Sequence, residues 1–214
     1  MTNLILVRHG ETTTHAENRY TGRTDVPLTD RGQAQAWLLA QWAARAGLDG
    51  VVSSDLGRAR DTAQPCVDVA DLELRIDPRL RELDFGDAEG LTTAQMRDRF
   101  PEAYAAFVED PANSPLPGGE EPKKAVERGM AALHDICGAQ CTGRVLVVAH
   151  TTLIRLMLCR LLGLPLSEYR RVFPFIRNCG LTEVLVRGDR VSLLEYNTPT
   201  DLNDRYGGPA GDRR

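Results

Sequence analysis

Two short apolar runs that each end in a histidine constrain this chain more than any other feature. Residues 4–7 lead into Arg8 and His9, and residues 145–149 lead into His150. Continuous apolar runs of this length predict strands that are covered on both faces, as in a parallel sheet. In open α/β sheets, ligands bind just beyond the carboxyl ends of the strands. If the two strands are neighbours, both imidazoles face one crevice.

The rest of the chain alternates between helical and strand patterns. The helical stretches are residues 31–45, 55–69, 92–107 with a break at Pro101, 123–137 and 151–162; the strand-like stretches are 51–54, 74–77, 181–186 and 191–196. Gly188-Asp189 joins the last two as a hairpin. This alternation predicts a three-layer α/β/α sandwich around a mostly parallel central sheet. In the first helix, we expect the apolar face to include Ala34, Leu38 and Ala43.

Length and composition fit one globular domain. A chain of 214 residues, 42% hydrophobic and 26% charged, can bury a core without disulfides or metals. We expect a single catalytic domain over residues 1–200 and a polar, Gly-rich tail over residues 201–214. The net charge of −4 gives no basic surface for nucleic acid or an anionic membrane.

No targeting segment is recognisable. No apolar stretch approaches the roughly 20 residues that a transmembrane helix needs, and the N-terminus lacks a charged leader, so we expect a cytoplasmic protein. The five cysteines, Cys66, Cys137, Cys141, Cys159 and Cys179, do not have zinc-site spacing and are expected to be reduced, structural thiols.

Several phosphate-handling motifs are missing from the sequence. Neither lysine follows a glycine as in a Walker loop, no cysteine has an arginine six residues later, and no Asp-x-Asp or Gly-x-Ser-x-Gly occurs. None of the four histidines forms a His-x-x-x-His pair. The remaining candidate nucleophile at a strand end is an imidazole, and we expect no metal or cofactor.

Arg8, His9, Arg58 and His150 together suit phosphate-ester hydrolysis. The negative oxygens of a phosphate monoester repel nucleophiles, and arginines that neutralise them stabilise the transition state. A neutral His9 could then attack phosphorus and form a phosphohistidine that water resolves. Arg60, beside Arg58, is expected to be a surface charge.

The leaving alkoxide needs a proton, and Glu82 is the candidate donor. Asp84 is the substitute for this role. The alternative for Glu82 is an ordinary salt bridge with Arg81.

Six motifs follow one another along residues 3–200. They are RHGET at 8–12, GRTDVPLT at 22–29, SSDLGRARDTA at 53–63, LRELDFG at 80–86, GGE at 118–120 and VAH at 148–150. In order and spacing they resemble the signatures of the histidine phosphatase superfamily, and more closely those of its phosphoglycerate mutase-like branch. The resemblance implies that His9 is phosphorylated, that Glu82 is the proton donor, that Arg8, Arg58 and His150 complete the phosphate pocket, and that Thr21 and Gly22 line the substrate side.

The chain departs from this family pattern at two places. His15 stands where the family usually has an asparagine that reaches the phosphate; its imidazole could still donate a hydrogen bond, and its charge would make phosphate binding pH-sensitive. Thr151-Thr152 follow His150 where Gly-Gly or Gly-x-Ser is common. We expect the backbone N–H groups at this helix start, including that of Thr151, to serve a substrate anion all the same.

These observations predict a metal-independent phosphoric monoester hydrolase of the histidine acid phosphatase type, acting on a small phosphorylated metabolite. Residues 110–122, rich in proline and glycine, are expected to form an active-site loop. An edge strand or the C-terminal hairpin could pair two copies into a homodimer.

Alternatives remain open. One is a phosphoglycerate mutase, although residues 87–117 carry only Arg97 and Arg99 as cations, where mutases typically have a longer, more basic insertion. A phosphatase specific for α-ribazole phosphate or a sugar phosphate is another. The last is a non-catalytic module that only binds phosphate.

Overall fold

The structure is a computed structural model that describes residues 1–138 and 143–200. The predicted tail, residues 201–214, and Cys141 lie outside the described residues. The described strands are β1 (Thr2–Arg8), β2 (Gly50–Ser53), β3 (Leu74–Ile76), β4 (Gly143–Ala149), β5 (Leu181–Arg187) and β6 (Arg190–Thr198). They form one sheet with the order β3-β2-β4-β1-β5-β6.

The centre of the sheet is parallel and one side of it is antiparallel. β1 pairs with β4 in parallel, with Arg8 opposite Ala149, and β2 lies parallel to both β4 and β3. β5 runs antiparallel to β1, and β6 completes the predicted hairpin. Gly188 in the hairpin turn has φ 58°, a conformation that glycine adopts without strain. The prediction of a mostly parallel sheet is confirmed.

Helices cover both faces of the sheet. They are α1 (Asp30–Ala46), α2 (Gly57–Ala70), α3 (Thr93–Arg99), α4 (Pro101–Glu109), α5 (Pro122–Gly138), α6 (Thr151–Leu161) and α7 (Tyr169–Val172), with 3₁₀ turns at Pro78–Leu80, Gly86–Ala88 and Leu166–Glu168. Within the described residues, none of these helices has both the length and the apolar character that a membrane crossing requires.

Successive side chains of the two central strands point to opposite faces of the sheet, and this divides the core into two layers. Ile5 and Val7 of β1 pack with residues of α1 and α2 on one face. Leu4 and Leu6 face the opposite way and pack with α5 and α6. Each fully buried aliphatic side chain of this kind contributes about 1.5–3 kcal/mol. The predicted three-layer sandwich is therefore confirmed, and its apolar layers fix the strand ends that carry the histidines.

The inward face of α1 differs from the one predicted. Thr29 caps the helix by accepting a hydrogen bond from Gly32 N, and Gly47 ends it at φ 61°. The buried side chains are Ala36, Leu39, Ala40 and Ala43, spaced i, i+3, i+4 and i+7. Ala34 is exposed and Leu38 is only half-buried, so the prediction was wrong for both of them.

The segment after α6 was not predicted, and it closes the end of β1. Cys179 N donates a hydrogen bond to the Arg8 carbonyl at 2.8 Å, and Asn178 Nδ2 donates to the His9 carbonyl at 2.8 Å. The residues that precede β5 are thereby brought beside the two residues that leave β1. Cys66, Cys137, Cys159 and Cys179 are free thiols, as expected, and burial raises the pKa of the Cys66 thiol to about 12.

Candidate active site

His9 and His150 meet at the carboxyl edge of the sheet. Because β1 and β4 are neighbours in register, the residue that follows each strand leaves at the same edge. The two ring centroids are 5.1 Å apart. His9 is almost fully buried but still lines a cavity, whereas His150 has no exposed surface and lies beneath the cavity wall.

The hydrogen bonds of His9 select one tautomer. Its Nδ1 lies 2.7 Å from the Gly10 carbonyl, which can only accept, so Nδ1 carries the proton. Arg58 Nε, which can only donate, lies 3.3 Å from His9 Nε2. Both contacts therefore place an unprotonated lone pair on Nε2, which is the form of imidazole that can act as a nucleophile.

Burial keeps both imidazoles neutral. Desolvation lowers the pKa of His9 well below its usual value, and the charge of Arg58 acts in the same direction. Desolvation and Arg58 likewise lower the pKa of His150. Nε2 of His150 lies 2.9 Å from Ser54 Oγ, while its Nδ1 has no hydrogen-bond partner among the described residues.

Arg58 is held at the cavity by backbone carbonyls of the loop that follows β1. Its guanidinium donates to Gly22 O at 2.6 Å and to Thr24 O at 2.8 Å. A Cβ at Gly22 would lie 2.0 Å from Leu83 O, so only glycine lets the loop approach this closely. Gly22 itself is not among the residues that line the cavity.

His15 lies against Arg8. Arg8 donates to Ile176 O at 2.8 Å and to His15 Nε2 at 2.6 Å. At its other ring nitrogen, His15 Nδ1 accepts from the Thr12 backbone N–H at 3.0 Å and lies 2.8 Å from Thr12 Oγ1. In this structure His15 lines the cavity and orients Arg8.

Glu82 occupies the N-terminus of α6. One carboxylate oxygen accepts from Leu83 N at 2.9 Å and Leu153 N at 3.0 Å, and the other accepts from Thr152 N at 2.9 Å. The helix start that we expected to serve a substrate anion thus holds Glu82, because a protein carboxylate uses the same donors. Glu82 is 3% exposed and lines the cavity, as does Thr151.

The structure distinguishes Glu82 from the two alternatives, which were a salt bridge between Glu82 and Arg81 and the use of Asp84 as the proton donor. Arg81 pairs with Asp55, not with Glu82. Asp84 accepts a hydrogen bond from Gly86 N and does not line the cavity. Arg60 is exposed, as expected.

Arg128 and Glu120 hold the segment that carries Glu82. Arg128 donates to the carbonyls of Arg79, Arg81 and Glu82 at 2.6, 2.7 and 3.1 Å, and it forms two hydrogen bonds of 2.8 Å with Glu120. Glu120 N in turn donates to Asp84 O at 2.8 Å. None of residues 110–122 lines the cavity. The predicted active-site loop instead holds the segment that carries Glu82, through Glu120.

Arg128→Met is expected to lower the free energy of unfolding by about 2–4 kcal/mol, because it removes two hydrogen bonds from the nearly buried Glu120 carboxylate and one from each of three carbonyls. Urea unfolding measures this change. Lys123→Met, an exposed change on the same helix, serves as the control. A loss for Arg128→Met that is no larger than the control's would contradict this prediction.

The outer wall of the cavity contains residues that the sequence did not single out. The cavity has a volume of about 180 Å³. Thr21 lies in its wall. The unforeseen wall residues include Arg19, Tyr20, Phe85, Arg155, Tyr169 and Arg170. Helical periodicity marks Arg155 only as part of α6, and α7 is too short to leave any periodic signal.

Comparison with known proteins gives a consistent result. The family model of the histidine phosphatase superfamily (branch 1) matches residues 4–199. Phosphoserine phosphatase 1 of Hydrogenobacter thermophilus is 36% identical over 207 residues, which cover 96% of this chain and 97% of that protein. A probable phosphoglycerate mutase GpmB of Enterobacter sp. (strain 638) is 34% identical over 184 residues, covering 86% and 85%.

Solved structures agree with the sequence relatives. A mycobacterial glucosyl-3-phosphoglycerate phosphatase superposes with a TM-score of 0.84 at 31% identity, covering 92% of this chain and 99% of that one. A putative alpha-ribazole-5'-P phosphatase from Escherichia coli also gives 0.84, at 27% identity, covering 92% and 97%. The similar proteins thus carry both phosphatase and mutase names.

Proposed function

The chain belongs to the histidine phosphatase superfamily, and from this membership we propose that it hydrolyses a small phosphorylated metabolite through a phosphohistidine intermediate on His9. The observation that carries the proposal is the state of His9: a neutral ring whose unprotonated Nε2 lies beside Arg58 in the cavity.

The first step transfers the phosphoryl group to the protein. His9 Nε2 attacks phosphorus, so that a P–N bond forms while the P–O bond to the leaving group breaks. Arg8 and Arg58 neutralise the charge on the phosphoryl oxygens. The buried His150 ring lies beside the His9 ring. Glu82, when it holds a proton, gives it to the departing alkoxide.

The second step returns the protein to its starting state. Water attacks the phosphohistidine, its oxygen replaces His9 Nε2 on phosphorus, and the Glu82 carboxylate takes the proton that the water loses. Phosphate leaves with His9 neutral again. The chain's own residues supply the nucleophile, the charge stabilisation and the proton transfer.

Hydrolysis is favoured over a mutase reaction by the position of the only arginines in residues 87–117. Arg97 and Arg99 are exposed, lie over the rings of Tyr104 and Phe100, and do not line the cavity. They therefore do not supply the basic insertion that would retain a substrate for the return of its phosphoryl group. The phosphoglycerate mutase names among the relatives keep the mutase as the second candidate.

Two assays test the proposal. Purified protein is incubated with p-nitrophenyl phosphate in EDTA, where we expect turnover; none from the intact protein would favour a module that only binds phosphate. It is then incubated with 3-phosphoglycerate, where release of inorganic phosphate supports a phosphatase. Formation of 2-phosphoglycerate would instead support the mutase.

The lowered pKa values of His9 and His150 have a consequence for pH dependence. We expect the ring NMR signals of both residues, assigned from single variants, to remain those of neutral imidazole at pH 6.5 and to change only well below it. The unfolded chain takes up protons on these rings near pH 6.5 whereas the folded protein does not, so the free energy of unfolding should decrease as the pH falls below about 6.5. Titration of both rings near their usual pKa would contradict this. A nucleophile that stays neutral in mild acid is compatible with the proposed acid-phosphatase type.

A further inference from the structure

We propose that Glu89, which does not line the cavity, is a positioning residue for the reaction: its carboxylate holds the loop of residues 22–24, and the carbonyls of that loop aim Arg58 at His9. This inference rests on the proposed phosphatase function and adds a residue to it.

The Glu89 carboxylate accepts five hydrogen bonds. Oε1 accepts from the backbone N–H groups of Arg23 at 3.0 Å and Phe85 at 3.1 Å. Oε2 accepts from Gly22 N at 3.1 Å, from Thr24 N at 3.2 Å and from Thr24 Oγ1 at 2.7 Å. Four of the five come from the same short loop, so this carboxylate determines how the loop is folded.

The loop turns its carbonyls toward Arg58, which donates to Gly22 O at 2.6 Å and to Thr24 O at 2.8 Å. The Gly22 carbonyl and the Arg23 N–H belong to one planar trans peptide group, so they point in opposite directions. This peptide therefore has Glu89 at its N–H end and Arg58 at its carbonyl end. A negative charge at the N–H end polarises the peptide and strengthens the hydrogen bond at its carbonyl.

The direction of the Arg58 guanidinium bears on the chemistry. A guanidinium is rigid and planar, so carbonyls that fix Nη1 and Nη2 also fix Nε. Nε lies 3.3 Å from His9 Nε2, the nitrogen that attacks phosphorus in the proposed mechanism. A shift of the loop would turn the guanidinium away from the point where charge develops in the transition state. A misplacement of about 1 Å can cost about 100-fold in rate.

Glu89 also compensates charge. Burial acts to raise its pKa, but the hydrogen bonds from Thr24 and from the backbone lower the pKa below its ordinary value, so Glu89 is ionised at neutral pH. Burial lowers the pKa of Arg58, which is 1% exposed, and neighbouring negative charges oppose that effect. These charges belong to Glu82, Asp25 and Glu89.

The position of Glu89 is fixed by the backbone on its C-terminal side. Gly90 N donates to Tyr20 O at 2.8 Å, and Tyr20 N donates to Leu91 O at 3.0 Å. The carboxylate is thereby brought so close to the loop that a Cβ at Gly22 would lie 2.2 Å from Glu89 Oε1. The site thus rests on two fixed segments, and a change at Glu89 is transmitted to Arg58 through the loop.

Glu89→Gln tests the inference, because a side-chain amide has one oxygen acceptor where the carboxylate has two. We expect kcat/KM for p-nitrophenyl phosphate to fall about 10- to 100-fold. The Ki for orthovanadate, a mimic of the transferring phosphoryl group, should rise by a similar factor. A merely structural role would reduce the amount of active protein and leave this Ki unchanged. Asp87→Asn, an exposed change two residues away, is the control and should keep both values.

A double-mutant cycle tests whether Glu89 acts through Arg58. Arg58→Lys keeps a charge but lacks the planar fork that the two carbonyls hold. In the Arg58→Lys background we expect Glu89→Gln to change kcat/KM and Ki by less than about threefold, since residues that act through one contact are not additive. A full loss in that background would overturn the inference.

Thr24→Val is a milder variant at an exposed position, and it removes one of the five hydrogen bonds. We expect it to change kcat/KM and the orthovanadate Ki about threefold in the wild type and not at all in Arg58→Lys. It carries the test if Glu89→Gln does not fold, and unchanged values would then overturn the inference. Wild-type values in a folded Glu89→Gln protein would overturn the inference and leave the phosphatase proposal intact. Absence of turnover by the intact wild type would overturn both.

Discussion

His9→Ala is expected to lower kcat/KM for p-nitrophenyl phosphate by about 10⁵-fold or more, as removal of a nucleophile does in other covalent mechanisms. The cavity offers no replacement. Nε2 of His15 contacts Arg8, and His150 has no exposed surface. The alanine variant retains the strand and its pairing, because the His9 backbone N–H still donates to Ala149 O at 3.1 Å.

His134→Ala is the control for this result, since His134 is exposed on α5 and outside the cavity. It should retain wild-type turnover. Circular dichroism shows whether both variants are folded. A folded His9→Ala protein with more than about one hundredth of the wild-type activity would exclude His9 as the nucleophile.

Glu82→Gln is expected to have the second largest effect, and one that depends on the leaving group. An alkyl phosphate releases a strongly basic alkoxide that must be protonated, so kcat should fall about 10³-fold. p-Nitrophenolate leaves without a proton, so its release should fall by no more than about tenfold. Rates with glycerol 3-phosphate and p-nitrophenyl phosphate give the comparison.

The leaving-group dependence separates a chemical role of Glu82 from a structural one. The carboxylate also accepts three backbone N–H groups, and a glutamine that disturbs the start of α6 would lower both rates alike. Asp84→Asn changes the alternative acid, which does not line the cavity, and should show no dependence on the leaving group. Equal losses for both substrates in Glu82→Gln, or a dependence that appears in Asp84→Asn, would exclude Glu82 as the proton donor.

The centre of the site could be predicted because its signals are local. Two apolar runs that each end in a histidine require buried strands, and parallel neighbours place the following residues at one edge. Arg58 follows a third strand of the same sheet. The family motifs add Glu82, which the structure places in the cavity wall.

The remainder of the site depends on contacts between residues that are distant in sequence. No local sequence pattern shows that the Glu82 carboxylate accepts hydrogen bonds from the backbone at the start of α6. Nor does one show that the carbonyl of Gly22 accepts from Arg58, 36 positions away. The same limit applies to Arg170. Its four-residue helix has no periodicity, and only the fold brings it into the wall with Arg155.

Residues 110–122 show how composition alone misleads. Proline and glycine predicted a loop correctly, but the same composition suits a loop that packs. Asp87 N donates to Pro117 O at 2.9 Å, and a Cβ at Gly86 would lie 2.3 Å from the Gly118 carbonyl carbon. Glycine is present here because two backbones touch, and the loop positions the acid through Glu120 and Arg128.

Trapping of the covalent intermediate tests the proposed chemistry most directly. The wild-type protein is mixed with substrate, quenched in alkali within the first turnover, digested and examined by mass spectrometry, with His9→Ala treated in parallel. We predict one phosphoryl group per chain, carried on His9 and absent from the variant. Rapid turnover with no phosphoryl group on the protein, or with the group on another residue, would contradict catalysis through a phosphohistidine at His9.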